Sequence, residues 1–133
     1  MPSGLFFRGH MIRLHLPFPP SVNEMYANGG KRGRHKTQKY KAWEQLASFQ
    51  IRDGHRQGFG PYSLSIALRR DLKGRSDIDN RIKAVNDLLQ AHGIVKNDSA
   101  CERLTITWDD GIEPECVVLV QRADEGIASC AIS

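Results

Sequence analysis

The alternation of apolar and polar residues along the chain predicts four strands and two helices. Residues 11–16, MIRLHL, and 62–70, YSLSIALRR, alternate with a period of two, which is typical of strands with one buried face. Segments 104–108 and 116–122 predict two more strands, the second valine-rich and buried on both faces, and residues 109–115, DDGIEPE, predict a hairpin-like turn between them. Helical spacing predicts one helix over about 38–53, with a buried side formed by Tyr40, Trp43, Leu46, Ala47 and Ile51.

A second helix is predicted over about 79–92, where Ile82, Val85 and Leu89 recur at helical spacing and Gly93 is a natural residue to end it. This order of elements predicts a small single α/β (α+β) domain, with two main helices on a mixed sheet of about four strands. We assign the domain to residues 11–122, a flexible N-terminal extension to 1–10 and a flexible C-terminal tail to 123–133. If Met11 is the start, the extension is absent.

The composition adds limits rather than a function. The chain of 133 residues suits one hydrophobic core, and its formal net charge of +4 permits a polyanionic partner without demanding one. Its three cysteines form no C-x-x-C pair, which predicts a reducing, cytosolic setting without a disulfide framework or a structural zinc site. No segment approaches the roughly 18 apolar residues that span a membrane.

The segment RSDIDNRIK, residues 75–83, carries two aspartates at the start of the second helix. Asp77 and Asp79 are suited to helix capping, because carboxylates accept hydrogen bonds from free backbone N–H groups and interact favourably with the helix dipole. Ser76 is also a good cap, so the position has more capping groups than it needs. Capping and a functional role both remain open at this point.

A polar stripe formed by Asp79, Lys83, Asp87 and Gln90 runs along the same helix. Asp79 and Lys83 are four residues apart, so a simple surface ion pair is one interpretation of their spacing. Asp98 follows in the loop after the helix, although spacing alone does not bring it back to Asp77. Converging carboxylates would require a cation, and hard oxygen ligands suit Mg²⁺. An EF-hand is excluded because Ile82 stands where its loop needs glycine.

Several stretches resemble the RusA family of Holliday junction resolvases over roughly residues 11–122. They are PPSVNEMY at 19–26, the basic stretch that follows it, DIDNRIKAVNDLL at 77–89 and GIVKNDSACERLTITW at 93–108. The resemblance implies a RusA-like fold. It also implies a Mg²⁺-dependent homodimer, with Mn²⁺ as a substitute metal, that cuts four-way DNA junctions by paired symmetric nicks in recombination and repair.

The resemblance also implies the site. Asp77, Asp79 and Asp98 match the family's essential acidic residues and would be catalytic metal ligands, and Lys83 matches the catalytic lysine of the motif. Asn97 stands where many relatives have aspartate, which favours Asp98 as the ligand. Lys83 would stabilise the charged phosphate in the transition state or position the attacking water.

The segment 31–41, KRGRHKTQKYK, has six basic residues and no acidic one. It is either a solvated loop or an arm that follows DNA phosphates, and a second basic run ahead of the aspartates has the same two interpretations. Tyr26 is a candidate for base stacking, whereas Trp43 and Trp108 are expected to pack in the core or a dimer interface. The candidate DNA-binding residues are Lys31, Arg32, Arg34, Lys36, Lys39, Arg69, Arg70, Lys73 and Arg75.

Three hypotheses therefore compete: a junction resolvase, a metal nuclease for branched DNA without junction specificity, and a non-catalytic DNA-binding module whose aspartates only cap a helix. A nuclease would lose activity on substitution of Asp77 or Asp98, whereas a binding module would tolerate either change. The family resemblance further implies the bacterial cytoplasm, and a phage or prophage origin is consistent with it.

Overall fold

A four-stranded mixed sheet and a two-stranded ribbon form the framework of the molecule. The computed structural model describes residues 11–29, 33–70 and 77–123. The main sheet contains β1 (Ile12–Leu16), β4 (Tyr62–Leu68), β5 (Cys101–Trp108) and β6 (Cys116–Arg122), and the ribbon contains β2 (Tyr26–Asn28) and β3 (Arg34–Lys36). The helices are α1 (Val22–Met25), α2 (Gln38–Ser48) and α3 (Ile82–Ala91), with 3₁₀ turns at Asp53–His55, Ile78–Arg81 and Asp98–Ala100.

This architecture confirms the prediction of a small α/β fold with about four strands in a mixed sheet and two main helices. The short α1 and the ribbon were not predicted. The ribbon occupies part of the glycine-rich basic segment, where Tyr26 pairs with Lys36 and Asn28 with Arg34. Gly33 has a φ of +70° at the start of β3, a left-handed conformation that glycine adopts without strain. The segment 1–10 and tail residues 124–133 lie outside the described residues.

The strand order β1–β6–β4–β5 corrects the prediction of a hairpin-like turn at residues 109–115. β5 runs parallel to β4, and β6 runs antiparallel to β4 on its other side, so β5 and β6 do not pair with each other. Their connection crosses the end of β4, where the Asp109 N–H donates to the Leu68 carbonyl at 2.7 Å. The valines of β6 explain the arrangement: Val117 and Val118 are both buried, which suits an inner strand covered on both faces.

The core lies where both long helices pack against one face of the sheet. Alternate residues of β1 and β4 are buried, as predicted from their period of two. Trp43 is buried in this core, and its indole N–H donates to the carbonyl of Pro17 at 2.9 Å. The buried residues of the two helices are Tyr40, Trp43, Ala47, Ala84, Val85, Leu88 and Leu89.

The first predicted helix was too long and its apolar side too wide. α2 ends at Ser48 instead of about 53, because Asp53 and Gly54 begin a separate 3₁₀ turn. Leu46 was expected on the buried side but is 56% exposed, since Tyr40, Trp43 and Ala47 alone face the core from α2. No helix in the described part of the chain has the length and apolar character needed to cross a membrane.

The second predicted helix begins as the 3₁₀ turn Ile78–Arg81 and becomes an α-helix at Ile82. It ends as expected at Gly93, whose φ of +73° reverses the chain after α3. The chain then pairs briefly with the segment before β4, where the Phe59 N–H donates to the Ile94 carbonyl at 3.0 Å. This return places the loop that carries Asp98 beside α3.

Candidate functional site

The first two predicted site residues lie at the entrance to α3. Asp77 immediately precedes the 3₁₀ turn with an extended backbone, and Asp79 lies in the first part of that turn. Both side chains are exposed. Within the described residues the Asp77 carboxylate makes no capping hydrogen bond. The hypothesis that Asp77 serves as the side-chain cap of this helix is therefore not supported by the geometry.

Asp98 lies in the first part of the 3₁₀ turn that follows α3. The neighbouring Asn97 caps this turn, because its side-chain oxygen accepts a hydrogen bond from the Ser99 N–H at 2.9 Å. Asn97 thus caps the turn, so the Asp98 carboxylate is not needed as a cap. The Asp98 side chain is half-buried and is not the cap of its own turn.

Lys83 projects from the first turn of α3 and pairs with Asp87, with 3.1 Å between Nζ and Oδ1. The sequence pattern raised the alternative of an Asp79–Lys83 pair, and the structure shows the pair one turn further along the helix. The hydrogen bond and negative charge of Asp87 raise the pKa of Lys83, and the charge of Asp98 adds to the effect against a smaller cost of burial. These interactions favour the charged ammonium form of Lys83.

Carboxylate oxygens are the ligands that Mg²⁺ prefers, so the donor chemistry of the three aspartates fits such an ion. Across residues 11–29, 33–70 and 77–123, however, no three His, Cys, Asp or Glu side chains are grouped so that they could hold a metal together. The structure places the Asp98 turn against α3, the helix that carries Lys83, but does not gather Asp77, Asp79 and Asp98 into a preformed cluster.

Arg81 is a residue of this region whose importance the sequence pattern did not reveal. It is only 4% exposed, although its charge suggested a surface position. Its guanidinium donates to the Pro19 carbonyl at 3.0 Å and to Glu24 at 3.3 Å, and it lies over the Phe18 ring. Arg81 therefore fastens the 3₁₀ turn that carries Asp79 to the segment before α1. The only hint in the sequence that this region matters was the PPSVNEMY motif, which supplies both partners of Arg81, Pro19 and Glu24.

Glu24 links Arg81 to Lys39, which lies at the start of α2 next to the β2–β3 ribbon. Its carboxylate accepts from Arg81 and, at 2.5 Å, from Lys39 at the start of α2. Burial raises the pKa of Glu24, but hydrogen bonds from Lys39 and the Ser21 N–H and the charges of Lys39 and Arg81 outweigh it and lower the pKa to about 2. The carboxylate is therefore ionised throughout the neutral range and holds both basic side chains.

Some of the candidate DNA-binding residues form ion pairs, and others are exposed at the surface. Lys39 is paired with Glu24, and Lys36 is paired with Glu44 at 3.0 Å. Arg34 in β3 is exposed, and its guanidinium lies 4.7 Å from the centre of the Tyr26 ring. Tyr26, the predicted stacking residue, thus already carries an arginine on its ring. Four further candidates lie outside the described residues: Lys31, Arg32, Lys73 and Arg75.

Arg69 and Arg70 lie at the end of β4, where the connection between β5 and β6 crosses. Arg69 donates to the Glu113 carbonyl at 2.8 Å. Arg70 lies over the Trp108 ring, 5.4 Å from its centre, and its backbone N–H donates to Asp110 at 2.7 Å. Trp108 also stacks on Phe18, so it takes part in packing rather than standing free. Both arginines therefore contact the crossing segment or its neighbours.

A second group of residues that the sequence did not reveal holds the Asp98 turn. The hydroxyl of the fully buried Tyr62 donates to Oδ1 of Asn86 at 2.6 Å and lies 3.4 Å from the Asp98 carbonyl oxygen. Burial raises the pKa of Tyr62, and the charges of Cys101 and Asp98 add to the rise, so the phenol stays protonated. Burial also raises the pKa of Cys101, which disfavours the thiolate form that a nucleophilic cysteine needs.

Comparison with known proteins identifies the class. The family model for the endodeoxyribonuclease RusA matches residues 17–121, which include α1, both long helices, β4, β5 and all but the last residue of β6, but not β1. The chain therefore belongs to the RusA endodeoxyribonuclease family. It is 30% identical over 86 residues to the crossover junction endodeoxyribonuclease RusA of Aquifex aeolicus (strain VF5), an alignment that covers 63% of this chain and 67% of the relative.

Proposed function

We propose that this protein resolves four-way DNA junctions by paired symmetric nicks, in recombination and repair. The observation that carries the proposal is the family match over 17–121, a range that contains Lys83 on α3 and Asp98 in the turn after it. The curated relative is named as a crossover junction endodeoxyribonuclease. We further propose that the protein works in the bacterial cytoplasm, and a phage or prophage origin is consistent with this proposal.

The proposed metal is Mg²⁺, with Mn²⁺ as a substitute, and Asp77, Asp79 and Asp98 would hold it. When bound, it would activate water and neutralise charge on the scissile phosphate. Because the three carboxylates are not preassembled, we propose that DNA phosphate and water complete the coordination. Mg²⁺ sites commonly combine one or two carboxylates with substrate phosphate, and they keep several waters.

Lys83 supplies the permanent positive charge of the proposed site. Its pKa is raised by Asp87 and Asp98, so it keeps its proton wherever the protein works. An ammonium held beside a scissile phosphate stabilises the oxygen that gains charge during cleavage. Asp87 would hold the Lys83 side chain in place, since the pair is made within a single helix.

We also propose that the protein acts as a homodimer. A four-way junction has approximate two-fold symmetry, and a two-fold dimer presents two equivalent sites to it. Two symmetric nicks require two such sites. The basic residues on and beside the β2–β3 ribbon, together with Arg69, Arg70, Lys73 and Arg75, are the proposed contacts with the phosphate backbone.

Cleavage of a labelled synthetic four-way junction tests the proposal. Wild type and Asp79→Asn are compared in Mg²⁺, Mn²⁺ and Ca²⁺, with linear duplex and a three-way branch as control substrates. We expect wild type to make two symmetric nicks in the junction only, with Mg²⁺ or Mn²⁺. We expect Asp79→Asn to bind the junction but cut at least about 100-fold more slowly, since loss of even an indirect metal contact costs 10–100-fold.

The other outcomes separate the competing functions. Cutting of the three-way branch at the same rate would indicate a branched-DNA nuclease without junction specificity. Tight junction binding by both proteins without cutting in any metal would indicate a DNA-binding module. Sedimentation of the protein with uncut junction in Ca²⁺ should give two protomers per junction, and a single protomer would contradict the dimer.

A further inference from the structure

The Asp98 turn is held through its backbone. The Asp98 N–H donates to Oε1 of Gln90 at 2.9 Å. On the other side of the residue, the Tyr62 hydroxyl lies 3.4 Å from the Asp98 carbonyl oxygen. The polar groups on both sides of the Asp98 Cα thus meet side chains of the framework, one from α3 and one from β4.

Gln90 lies on the same face of α3 as Lys83, because seven residues make almost two complete turns. It is the last member of the polar stripe that contains Lys83 and Asp87. The hydrogen bond that the Gln90 side chain accepts from the Asp98 N–H therefore holds the turn on the helix face that carries Lys83. The effect of the Asp98 charge on the pKa of Lys83 agrees with this placement.

The Tyr62 side chain beside the Asp98 turn is itself held in place. Its side chain is fully buried, and its hydroxyl proton is directed to Oδ1 of Asn86 at 2.6 Å. Asn86 and Gln90 are four residues apart on α3, so one short length of helix contacts both Tyr62 and the Asp98 turn. Tyr62 cannot turn away without leaving the Asn86 oxygen unpaired inside the protein.

Backbone position matters more for aspartate than for glutamate. Only one methylene joins the carboxylate of Asp98 to its Cα, so the reach of the carboxylate is set almost wholly by where the backbone lies. Asn97 adds to the constraint by capping the same turn through the Ser99 N–H. A loss of the Gln90 contact would let the turn move and would shift the carboxylate from the Lys83 face.

We propose that Gln90, supported by Tyr62, is a positioning residue that sets where Asp98 presents its carboxylate to a divalent cation. The inference rests on the proposed function in assigning Asp98 to the metal. Gln90 itself contacts neither metal nor DNA in this proposal. Residues that orient metal ligands from outside the coordination shell affect metal affinity by 10–100-fold when they are replaced.

The test replaces Gln90 by methionine, which keeps the length and helix preference of the side chain but removes the accepting oxygen. Gln45→Met on the exposed face of α2 is the matched control. Junction cleavage at saturating protein is measured against Mg²⁺ concentration, and Ca²⁺ binding to the protein on uncut junction is measured by calorimetry. Tyr62→Phe is a second variant, and circular dichroism checks that each variant folds.

We expect Gln90→Met to raise the Mg²⁺ concentration for half-maximal cleavage by about tenfold, to leave the plateau rate within about twofold of wild type, and to weaken Ca²⁺ binding by a similar factor. Tyr62→Phe should shift the same midpoint in the same direction. Gln45→Met should match wild type in every measurement.

An unchanged metal midpoint in folded Gln90→Met would overturn the inference, and so would a lower plateau at an unchanged midpoint. If wild type cuts no DNA, the proposed function fails, and Ca²⁺ binding still decides the positioning role. Weaker Ca²⁺ binding by Gln90→Met, but not by Gln45→Met, would then support it. Equal binding by both variants, or no Ca²⁺ binding by wild type, would overturn it.

Discussion

The two charged regions of the molecule hold their side chains in different ways. Around α3, Lys83 is paired within its own helix, and the Asp98 N–H donates to Gln90, with the Tyr62 hydroxyl 3.4 Å from the Asp98 carbonyl oxygen. On the β2–β3 ribbon, Arg34 rests on an aromatic ring at the surface. The first arrangement limits the movement of a charge, as the proposed catalysis requires, whereas the second leaves a charge available to the proposed phosphate contacts.

The regions are joined through Glu24. This carboxylate binds Arg81, which fastens the turn that carries Asp79, and Lys39, which begins α2 beside the ribbon. The two contacts differ in exposure, since the Arg81 side chain is 5% exposed and the Lys39 side chain 49% exposed. We therefore expect the loss of Arg81 to affect stability and the loss of Lys39 to have little effect on it.

The largest expected effect comes from Lys83. Lys83→Met should slow junction cleavage by about 10²–10³-fold at saturating protein, because it removes the charge that we propose lies beside the scissile phosphate. Single-turnover rates with labelled junction measure the effect, and Lys41→Met on α2 is the control. Asp87→Asn should cause a smaller loss, since it keeps the ammonium but removes its partner. A normal rate in Lys83→Met would remove the proposed distinction between the two regions.

A smaller effect is expected from Arg81. Arg81→Met should lower the free energy of unfolding by about 2 kcal/mol, because a buried guanidinium loses its hydrogen bonds to Pro19 and Glu24. Urea denaturation measures the change. Arg34→Gln, which alters an exposed side chain, should stay within about 0.5 kcal/mol of wild type. Similar losses in both variants would show that burial does not separate the two regions.

The smallest effect compares two residues on the DNA-binding side. Arg34→Gln should lower the slope of log Kd against log salt by about 0.9, the value for one phosphate contact. Lys39→Gln should change the slope much less, because the Lys39 charge is already engaged by Glu24. Filter binding of uncut junction in Ca²⁺ at several salt concentrations measures both. Equal slope changes would mean that DNA displaces Glu24 from Lys39.

Local patterns in the sequence predicted the elements well where periodicity was strong. The alternation in β1 and β4, the apolar face of α3 and the end of that helix at Gly93 were all confirmed. Periodicity failed at α2, where Leu46 is apolar but exposed. It also failed at residues 109–115, because a turn sequence does not specify which strands lie beside each other. Strand order depends on contacts between distant segments.

The chain by itself determined which side chains are candidates for the proposed chemistry: the D-x-D-N-x-x-K segment, the following Asp98 and the basic run are all visible in the sequence. The tertiary structure decided how each one is held. In the folded protein Lys83 forms an ion pair with Asp87, and the Asp98 backbone lies against the Gln90 and Tyr62 side chains. Arg81 is buried and donates to the Pro19 carbonyl. The contacts of Tyr62 and Arg81 join residues 36 and 62 positions apart, which residue type and spacing do not encode, whereas Lys83–Asp87 and Gln90–Asp98 are local contacts.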